Sequence, residues 1–452
     1  MPVSVFDMQS LQHLWSTDEL RAIFSEENRV QQWLDFEAAL AEAQAELGII
    51  PAAAAARIRA QAAVANIDIA AMSAEIRRIK HSLVPALKQL QAHCGPDHGE
   101  WLHYGATTQD VVDTGVALQL KQAHAVFMRD LAAIGRELAR LAQSHRDTPM
   151  AGRTHLQHAL PITFGYKAAV WLLMLRRHRE RLAQLRPRVL IGQFGGAAGT
   201  LASLGDQGLA VHGALMRELG LGAAPVTWHV ARDGLAETVQ FLALVCGSLG
   251  KIAVDIMLMM TNELGEAFEP FVKGRGASST MPQKRNPISC ELMWAASKTV
   301  RQHAGLALDA MLQDFERATG PWHIEWSAVP EAFVLTAGSL RQARFMLGGL
   351  EVDAPRMARN LDLSGGLIVA EAVMMGLAPH IGRQTAHDVV YDACRAAATS
   401  RRRLADVLRE DARVAQRLGA DQIERLCDPA HYLGAAPQMV DRMRAHLKPG
   451  AA

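Results

Sequence analysis

Hydrophobic positions along the chain repeat at the spacing of α-helices almost throughout, and the alternation typical of strands is nearly absent. The clearest case is a seam in which apolar residues follow one another at alternating intervals of four and three. Its members are Leu235, Val239, Leu242, Cys246, Leu249, Ala253, Ile256 and Met260. A helix of this length would run on the order of 40 Å. Similar patterns predict long helices over roughly 112–146, 160–187, 288–314 and 325–349.

These helices predict an all-α fold built around a long-helix bundle. Turn-rich breaks suggest three helical domains: an N-terminal domain over 1–110, a central bundle over 111–355, and a C-terminal domain over 356–452. Helices so long and apolar must bury more than one face, so we expect the bundle to pack against other subunits. A large monomeric bundle is the alternative.

Composition and charge indicate which classes of protein the chain can belong to. The 452 residues are 50% hydrophobic and 21% charged, with 47 Lys plus Arg against 46 Asp plus Glu. This balance favours a globular chain and gives no argument for nucleic acid or membrane partners. The N-terminus lacks a secretory signal, so we expect a cytoplasmic protein. Lys251 and Asp255 interrupt the most apolar stretch, which favours a core helix over a membrane span.

Cys, His and acidic residues, the types that usually bind metals, are not grouped along the sequence at the spacing of a metal site. The five cysteines are widely spaced without a CxxC pair, which predicts buried free thiols and neither disulfides nor zinc. His98, Glu100 and His103 lie close in sequence, but no further ligand cluster follows them. We therefore expect neither a metal nor an organic cofactor.

The segment 273–287 is rich in Gly, Ser and Pro and carries positive charge. Its exposed backbone N–H groups, together with Lys284, Arg285 and Asn286, could form a pocket for an oxyanion, with the hydroxyls of Ser278 and Ser279 inside it. From composition alone, a mobile basic loop without a special role is equally acceptable.

Within this segment, the run SSTMPQKRNP resembles the signature of the fumarase/aspartase superfamily. The resemblance implies that Ser278 is the general acid or base, and that Lys284 and Asn286 hold a substrate carboxylate. Ala277 and Gln283 depart from the commonest pattern, but neither position supplies the base.

Two further blocks resemble the same superfamily. In WLHYGATTQD, Thr107 and Thr108 would bind substrate carboxylate oxygens with His103 nearby, and His81 in KHSLVP resembles a substrate-loop histidine of the adenylosuccinate lyase branch. In GRTHLQHALP, His155 and Gln157 match site positions.

His155 corresponds to the residue treated as proton donor to the leaving group, and Glu291 stands where its carboxylate partner is expected. A carboxylate would fix the tautomer of the imidazole and raise its pKa. Two further short segments resemble the superfamily. Gly195-Gly196 resembles a turn that lies against the substrate. Arg232-Asp233 resembles a pair near the start of a central helix, and we interpret it as a structural salt bridge.

Many stretches, among them QFGGAAGTLASLG and DPAHYLG, resemble the bacterial 3-carboxy-cis,cis-muconate cycloisomerase branch, and the C-terminal part resembles adenylosuccinate lyase. The resemblance implies a homotetramer with shared active sites, a small polycarboxylate substrate, and lactonisation of 3-carboxy-cis,cis-muconate in aromatic (protocatechuate) catabolism. The alternative is a C–N lyase that releases fumarate from an aspartate or succinyl adduct, which the pair His155 and Glu291 would suit. A non-catalytic relative or a helical scaffold would not need the Ser/Lys/Asn loop.

Overall fold

The structure is a computed structural model that describes residues 4–317 and 319–446. Helices dominate it, as predicted. They are α1 (Gln12–Trp15), α2 (Asp18–Ile23), α3 (Glu26–Glu46), α4 (Ala52–Gln61), α5 (Ile69–Ile79), α6 (Val84–Cys94), α7 (Pro96–Gly99), α8 (Thr108–Ser144), α9 (Phe164–Val189), α10 (Gly208–Leu219), α11 (Asp233–Met259), α12 (Ile288–Asp309), α13 (Pro321–Gly348), α14 (Ala354–Leu361), α15 (Ala370–Ile381), α16 (Arg383–Ser400), α17 (Leu404–Glu410), α18 (Ala412–Ala415), α19 (Ala420–Leu426) and α20 (Ala436–His446).

The long helices lie where the periodicity predicted them. The seam on α11 is buried from Leu235 to Ile256, with no member more than 7% exposed. Helix α9 begins at Phe164 and not near residue 160, because the preceding residues pair as a strand.

Short strands form three pairs that the periodicity did not predict. They are β1 (Pro149–Thr154) with β2 (Gln157–Thr163), β3 (Ile191–Gly192) with β4 (Gly222–Ala223), and β5 (Ala267–Phe268) with β6 (Glu351–Val352). Most contain only two residues, which is too short to show an alternating pattern.

The chain separates into two compact units, each assembled from several stretches. The first contains the described residues up to Leu131 together with 178–249 and 292–341. Its core forms where α3 packs against α4 and α10. Large buried side chains there are Leu34, Phe36, Leu40, Leu90, Phe194 and Leu215.

The second unit contains residues 132–177, 250–291 and the described residues from 342 onward. Its apolar core joins α15, α16 and α17, and the β1–β2 hairpin packs against α14. The division into three helical domains stays a prediction.

Several long helices present apolar side chains to solvent in the single chain. The exposed residues include Val170 and Leu173 on α9, Leu244 and Leu258 on α11, and Trp294 and Leu306 on α12. By length and composition α11 could cross a membrane, and half of its most apolar window is buried within the chain. The bent pair Ala354–Ser364 and Leu367–Ile381 passes the same test only if counted as one span.

Candidate active site

The first candidate region lies at the N-terminus of α8, where Thr107 precedes the helix and Thr108 opens it. Thr107 accepts the backbone N–H of Asp110 on its carbonyl oxygen at 3.0 Å, and Asp110 Oδ2 accepts the N–H of Thr107 at 3.0 Å. The bond from the N–H of Thr107 to the Asp110 carboxylate is one half of a capping box, and it fixes the first turn with both threonines at the positive end of a 37-residue helix dipole.

Asp110 ties three segments of the first unit together. Its side chain is fully buried. Oδ1 accepts hydrogen bonds from Gly195 N at 2.9 Å and His229 Nε2 at 2.7 Å. Oδ2 accepts from Gly196 N at 3.0 Å in addition to Thr107 N. The glycine turn is therefore bonded directly to the start of α8.

The hydroxyls of both threonines accept hydrogen bonds from the protein. Arg317 Nη1 donates to Thr107 Oγ1. His81 Nδ1 accepts the N–H of Val84 at 3.2 Å, so its proton resides on Nε2, which lies 3.3 Å from Thr108 Oγ1 and donates to it. Since each oxygen already accepts a bond, each threonine O–H remains available as a donor.

The pKa values of two histidines near the threonines are shifted in opposite directions. Burial lowers the pKa of His81, and the neighbouring cations His103 and Arg317 lower it further. Burial also lowers the pKa of His103, but the carboxylate of Glu37 outweighs burial and raises this pKa above its ordinary value. His103 Nδ1 lies 2.6 Å from Glu37 Oε1. The region therefore combines an imidazole whose pKa is lowered with one whose pKa is raised.

Arg232 lies in a buried ion cluster next to the first turns of α8. Its guanidinium bonds both oxygens of Asp113, at 2.7 and 3.0 Å, and both oxygens of Glu325. The two carboxylates hold the pKa of Arg232 above its ordinary value despite its burial. The structural role expected for Arg232 is thus supported, but its partners are Asp113 and Glu325, whereas Asp233 is exposed.

In the second unit, His155 and Leu156 form the two-residue turn between β1 and β2. Both have positive φ, +50° and +63°, as a type I′ hairpin turn requires. This conformation is uncommon for residues other than Gly, Asn and Asp, and such strained positions are frequent at functional sites. His155 and Gln157 are both exposed at this tip.

An ion pair to a buried carboxylate holds the hairpin beside its turn. Arg153 donates from Nη1 and Nη2 to the two oxygens of Glu266, at 2.9 and 2.7 Å. Glu266 is fully buried and also accepts a bond from Asn360 at 2.8 Å. Arg153, which lies two residues before His155 in the GRTHLQHALP motif, therefore helps to fix the position of the turn.

The loop that carries the run SSTMPQKRNP, called the signature loop below, has its two ends joined at Gly276 and Asn286. Asn286 N donates to Gly276 O at 3.0 Å, and an antiparallel bridge joins Ala277 to Arg285. Gly276 has φ +66°, and a Cβ there would lie 2.6 Å from Asn286 O, so only glycine fits.

Within the loop, Ser278 Oγ accepts hydrogen bonds from Thr280 N at 3.3 Å and Met281 N at 3.1 Å. Two N–H dipoles aimed at one hydroxyl oxygen favour its negatively charged form. This is the environment that a serine acting as a base needs.

The cations around the loop have different roles. Arg275 bonds Ser289 Oγ at 2.7 Å and Gln342 Oε1 at 2.8 Å, and Arg285 bonds Glu351 and the carbonyl of Glu269. The pocket role expected for Arg285 is therefore wrong within this chain, because its charge is neutralised by Glu351.

Lys284 and Asn286 differ from these arginines. Among the described residues, the side chain of Lys284 makes no ion pair and that of Asn286 no hydrogen bond. Lys284 is exposed, while Asn286 is partly buried. Both remain available for a ligand.

Glu291 lies in the first turn of α12 and is exposed. Across the described part of the single chain, it makes no ion pair with His155, so their pairing stays a prediction. The buried carboxylate at this helix end is instead Glu269, which accepts from Ser289 N at 3.2 Å and Cys290 N at 2.8 Å.

The structure brings His81, His103, Thr107 and Thr108 together within the first unit. Sequence reasoning missed Glu37 and Arg317, which complete this group from 66 and 210 positions away in the chain. Neither lies in a motif quoted above, and only the rule that a buried carboxylate needs a partner could have suggested Glu37. Over residues 4–317 and 319–446, no group of three or more His, Cys, Asp or Glu side chains is arranged to hold a metal.

Comparison with known proteins identifies the class. A family model described as lyase matches residues 14–301, and a model described as the adenylosuccinate lyase C-terminus matches residues 366–443. The chain therefore belongs to the fumarase/aspartase superfamily of lyases, which confirms the resemblance in the motifs.

Individual relatives cover nearly the whole chain. The 3-carboxy-cis,cis-muconate cycloisomerase of Pseudomonas aeruginosa is 49% identical, over 94% of this chain and 94% of its own. Trans-aconitate decarboxylase 1 of Mycosarcoma maydis is 48% identical, over 96% of this chain and 88% of the decarboxylase. The crystal structure of a fumarate lyase from Mesorhizobium sp. BNC1 matches with a TM-score of 0.90 at 53% identity, over 95% of this chain and 98% of the lyase chain.

Proposed function

We propose that the chain acts on small polycarboxylates, making or breaking a bond β to a carboxylate, and that its main reaction is lactonisation of 3-carboxy-cis,cis-muconate. The observation that carries the proposal is the set of donors at the start of α8. Arg317, the imidazolium of His103 and the hydroxyls of Thr107 and Thr108 offer hydrogen atoms to a ligand, which suits an ionised carboxylate.

The reaction needs no oxidant or reductant. One substrate carboxylate oxygen attacks the β carbon of a neighbouring unsaturated acid, and the π electrons move onto that acid's carboxylate as an aci-form dianion. A proton then adds to the α carbon. The net change is the addition of O–H across the double bond within one molecule.

Lys284 and Asn286 are the groups proposed to stabilise the dianion, because neither is engaged elsewhere in the described chain. Ser278 would deliver the proton, and the N–H groups of Thr280 and Met281 would stabilise the alkoxide left behind. In the lyase direction, the same serine would remove the α proton.

We also propose that the chain forms a cytoplasmic homotetramer whose active sites are shared between copies. The apolar side chains exposed on α9, α11 and α12 support association, because a partner copy that covered them would remove them from water. The solvent-exposed positions of His155 and Glu291 are consistent with partners on another copy. Gel filtration with light scattering tests this, and an active monomer would contradict it.

A second function is favoured by the relatives themselves. The cycloisomerase and the decarboxylase are almost equally similar, at 49% and 48% identity, and the solved structure is named a fumarate lyase. Identity alone therefore does not rank the reactions. A lyase that releases fumarate would use His155 to protonate the leaving group.

The deciding experiment is a substrate screen of the purified chain. Loss of the muconate absorbance from 3-carboxy-cis,cis-muconate would support lactonisation. Appearance of fumarate from adenylosuccinate or argininosuccinate, or of CO₂ from trans-aconitate, with no turnover of muconate, would replace it by the corresponding lyase or decarboxylase.

A further inference from the structure

We propose, building on the function above, that Glu37 keeps His103 permanently cationic, so that His103 binds a substrate carboxylate through its Nε2–H and does not shuttle protons. Glu37 would then be a positioning residue for substrate binding. It lies on α3, outside the motifs that supply the other candidate site residues.

The burial of Glu37 is the first argument. Its side chain is 0% exposed, and its Oε1 lies 2.6 Å from His103 Nδ1. Among the described residues, its Oε2 has no hydrogen-bond partner. An ionised carboxylate buried in this way is costly without an opposite charge, and His103 is the group that can supply it.

The geometry of His103 is the second argument. Its backbone has φ +58°, an uncommon conformation for histidine, and its side chain remains 23% exposed. Nδ1 is bonded to Glu37, and among the described residues no hydrogen bond engages Nε2. Nε2 is therefore the ring nitrogen that remains for a ligand.

The surrounding charges agree with this assignment. Asp110, from α8, favours the cationic form of His103, and its own carboxylate is already occupied by four donors. Burial lowers the pKa of His81, from the segment before α6, which favours its neutral form, and Arg317 is bonded to Thr107. His103 thus adds a second positive charge beside Arg317.

The competing assignment is a neutral His103 whose Nδ1–H donates to Glu37 and whose Nε2 acts as a base. The two assignments differ in charge at neutral pH and not in geometry. Glu37→Gln separates them, because the amide oxygen can still accept from Nδ1–H but no longer favours the imidazolium.

The first measurement is the titration of His103 by histidine-selective ¹³C NMR in the ligand-free protein, with the signal assigned by its loss in His103→Asn. We expect the wild-type signal to be that of an imidazolium at pH 7.5, and Glu37→Gln to shift its titration at least about one unit lower. A wild-type His103 that titrates at or below the ordinary value of about 6.5 would overturn the proposal, even if Glu37→Gln does not fold.

The second measurement is steady-state kinetics on the substrate found in the screen. At pH 8 we expect Glu37→Gln to raise KM at least about tenfold and to change kcat less than about threefold, since ground-state binding is lost. At pH 6 the difference should narrow as the imidazole gains its proton from solution. Loss of kcat with unchanged KM would identify His103 as a proton-transfer group.

Glu27→Gln is the matched control. Glu27 lies on the same helix, is exposed, and makes no contact with His103 in the described structure. This variant should leave both the titration and KM unchanged. The NMR titration needs no substrate, so an inactive protein in the screen would refute the proposed function without deciding the state of His103.

Discussion

Replacement of Asp110 by asparagine tests whether one carboxylate organises the candidate site. The substitution keeps the size of the side chain but leaves a single acceptor oxygen. Wild-type Oδ1 accepts from Gly195 and His229, whereas Oδ2 accepts from Gly196 and Thr107. In one orientation its NH₂ faces the N–H groups of Gly196 and Thr107, and in the other it faces the N–H of Gly195 and the ring of His229.

The magnitude follows from the donors that this NH₂ faces. A buried donor left without an acceptor costs about 1–3 kcal/mol, and one or two are left because His229 can change its tautomer and accept, so Asp110→Asn should lower the free energy of unfolding by about 1–6 kcal/mol. The loss should also appear in binding, because either orientation frees a bond that ties the start of α8, with Thr107, to the glycine turn. We expect KM to rise more than kcat falls.

Urea unfolding at one fixed protein concentration measures the stability change, and the same preparation provides KM. Asp130→Asn is the control, since Asp130 lies on the same helix and its partner Arg129 is more than half exposed, so a loss within about 1 kcal/mol is expected. If Asp110→Asn were as stable as this control, Asp110 could not have the organising role described above.

Four further outcomes are expected. Ser278→Ala should fold normally and lower turnover at least about 10²-fold; near-normal turnover would refute its role as acid or base. Arg317→Met should raise KM at least about tenfold, and an unchanged KM would remove Arg317 from the site. Because burial lowers the pKa of His81, the folded state binds fewer protons there than the unfolded chain, so wild type should lose stability relative to His81→Asn as pH falls through about 6.5. Gly276→Ala should lower kcat with little change in melting temperature, since its strain is confined to the exposed signature loop; an unaltered kcat would show that the loop tolerates a Cβ.

The long helices could be predicted because their cores repeat over many turns. On α11 the buried seam runs from Leu235 to Ile256, and a pattern of that length has few alternative explanations. The β1–β2 hairpin was missed because its strands carry Pro149, Gly152 and Pro161, which weaken any strand pattern. Its turn consists of His155 and Leu156 and not of the glycine or asparagine that usually signals a hairpin.

The candidate site was predictable where chemistry is concentrated in short motifs, and not where it depends on contacts distant in sequence. Thr107, Thr108 and Ser278 lie in such motifs. Glu37 and Arg317 reach the site from a helix and a loop whose local sequence carries no signal for it. The interpretation of Arg285 failed because its partner Glu351 is 66 positions away, and charge alone does not reveal a salt bridge.

The distribution of charge around the signature loop explains why so basic a segment need not bind substrate too tightly. Arg275 and Arg285 are engaged by fixed acceptors at the two ends of the loop, so between Gly276 and Asn286 Lys284 is the cation that the described structure leaves without a partner. An interaction accelerates the chemical step only if it is stronger in the transition state than with bound substrate. Three unpaired cations would attract the substrate carboxylates before reaction as well as the dianion formed during it. A single lysine, beside a serine oxygen held by two N–H groups, places the loop's free positive charge near the atoms whose charge changes in the proposed step.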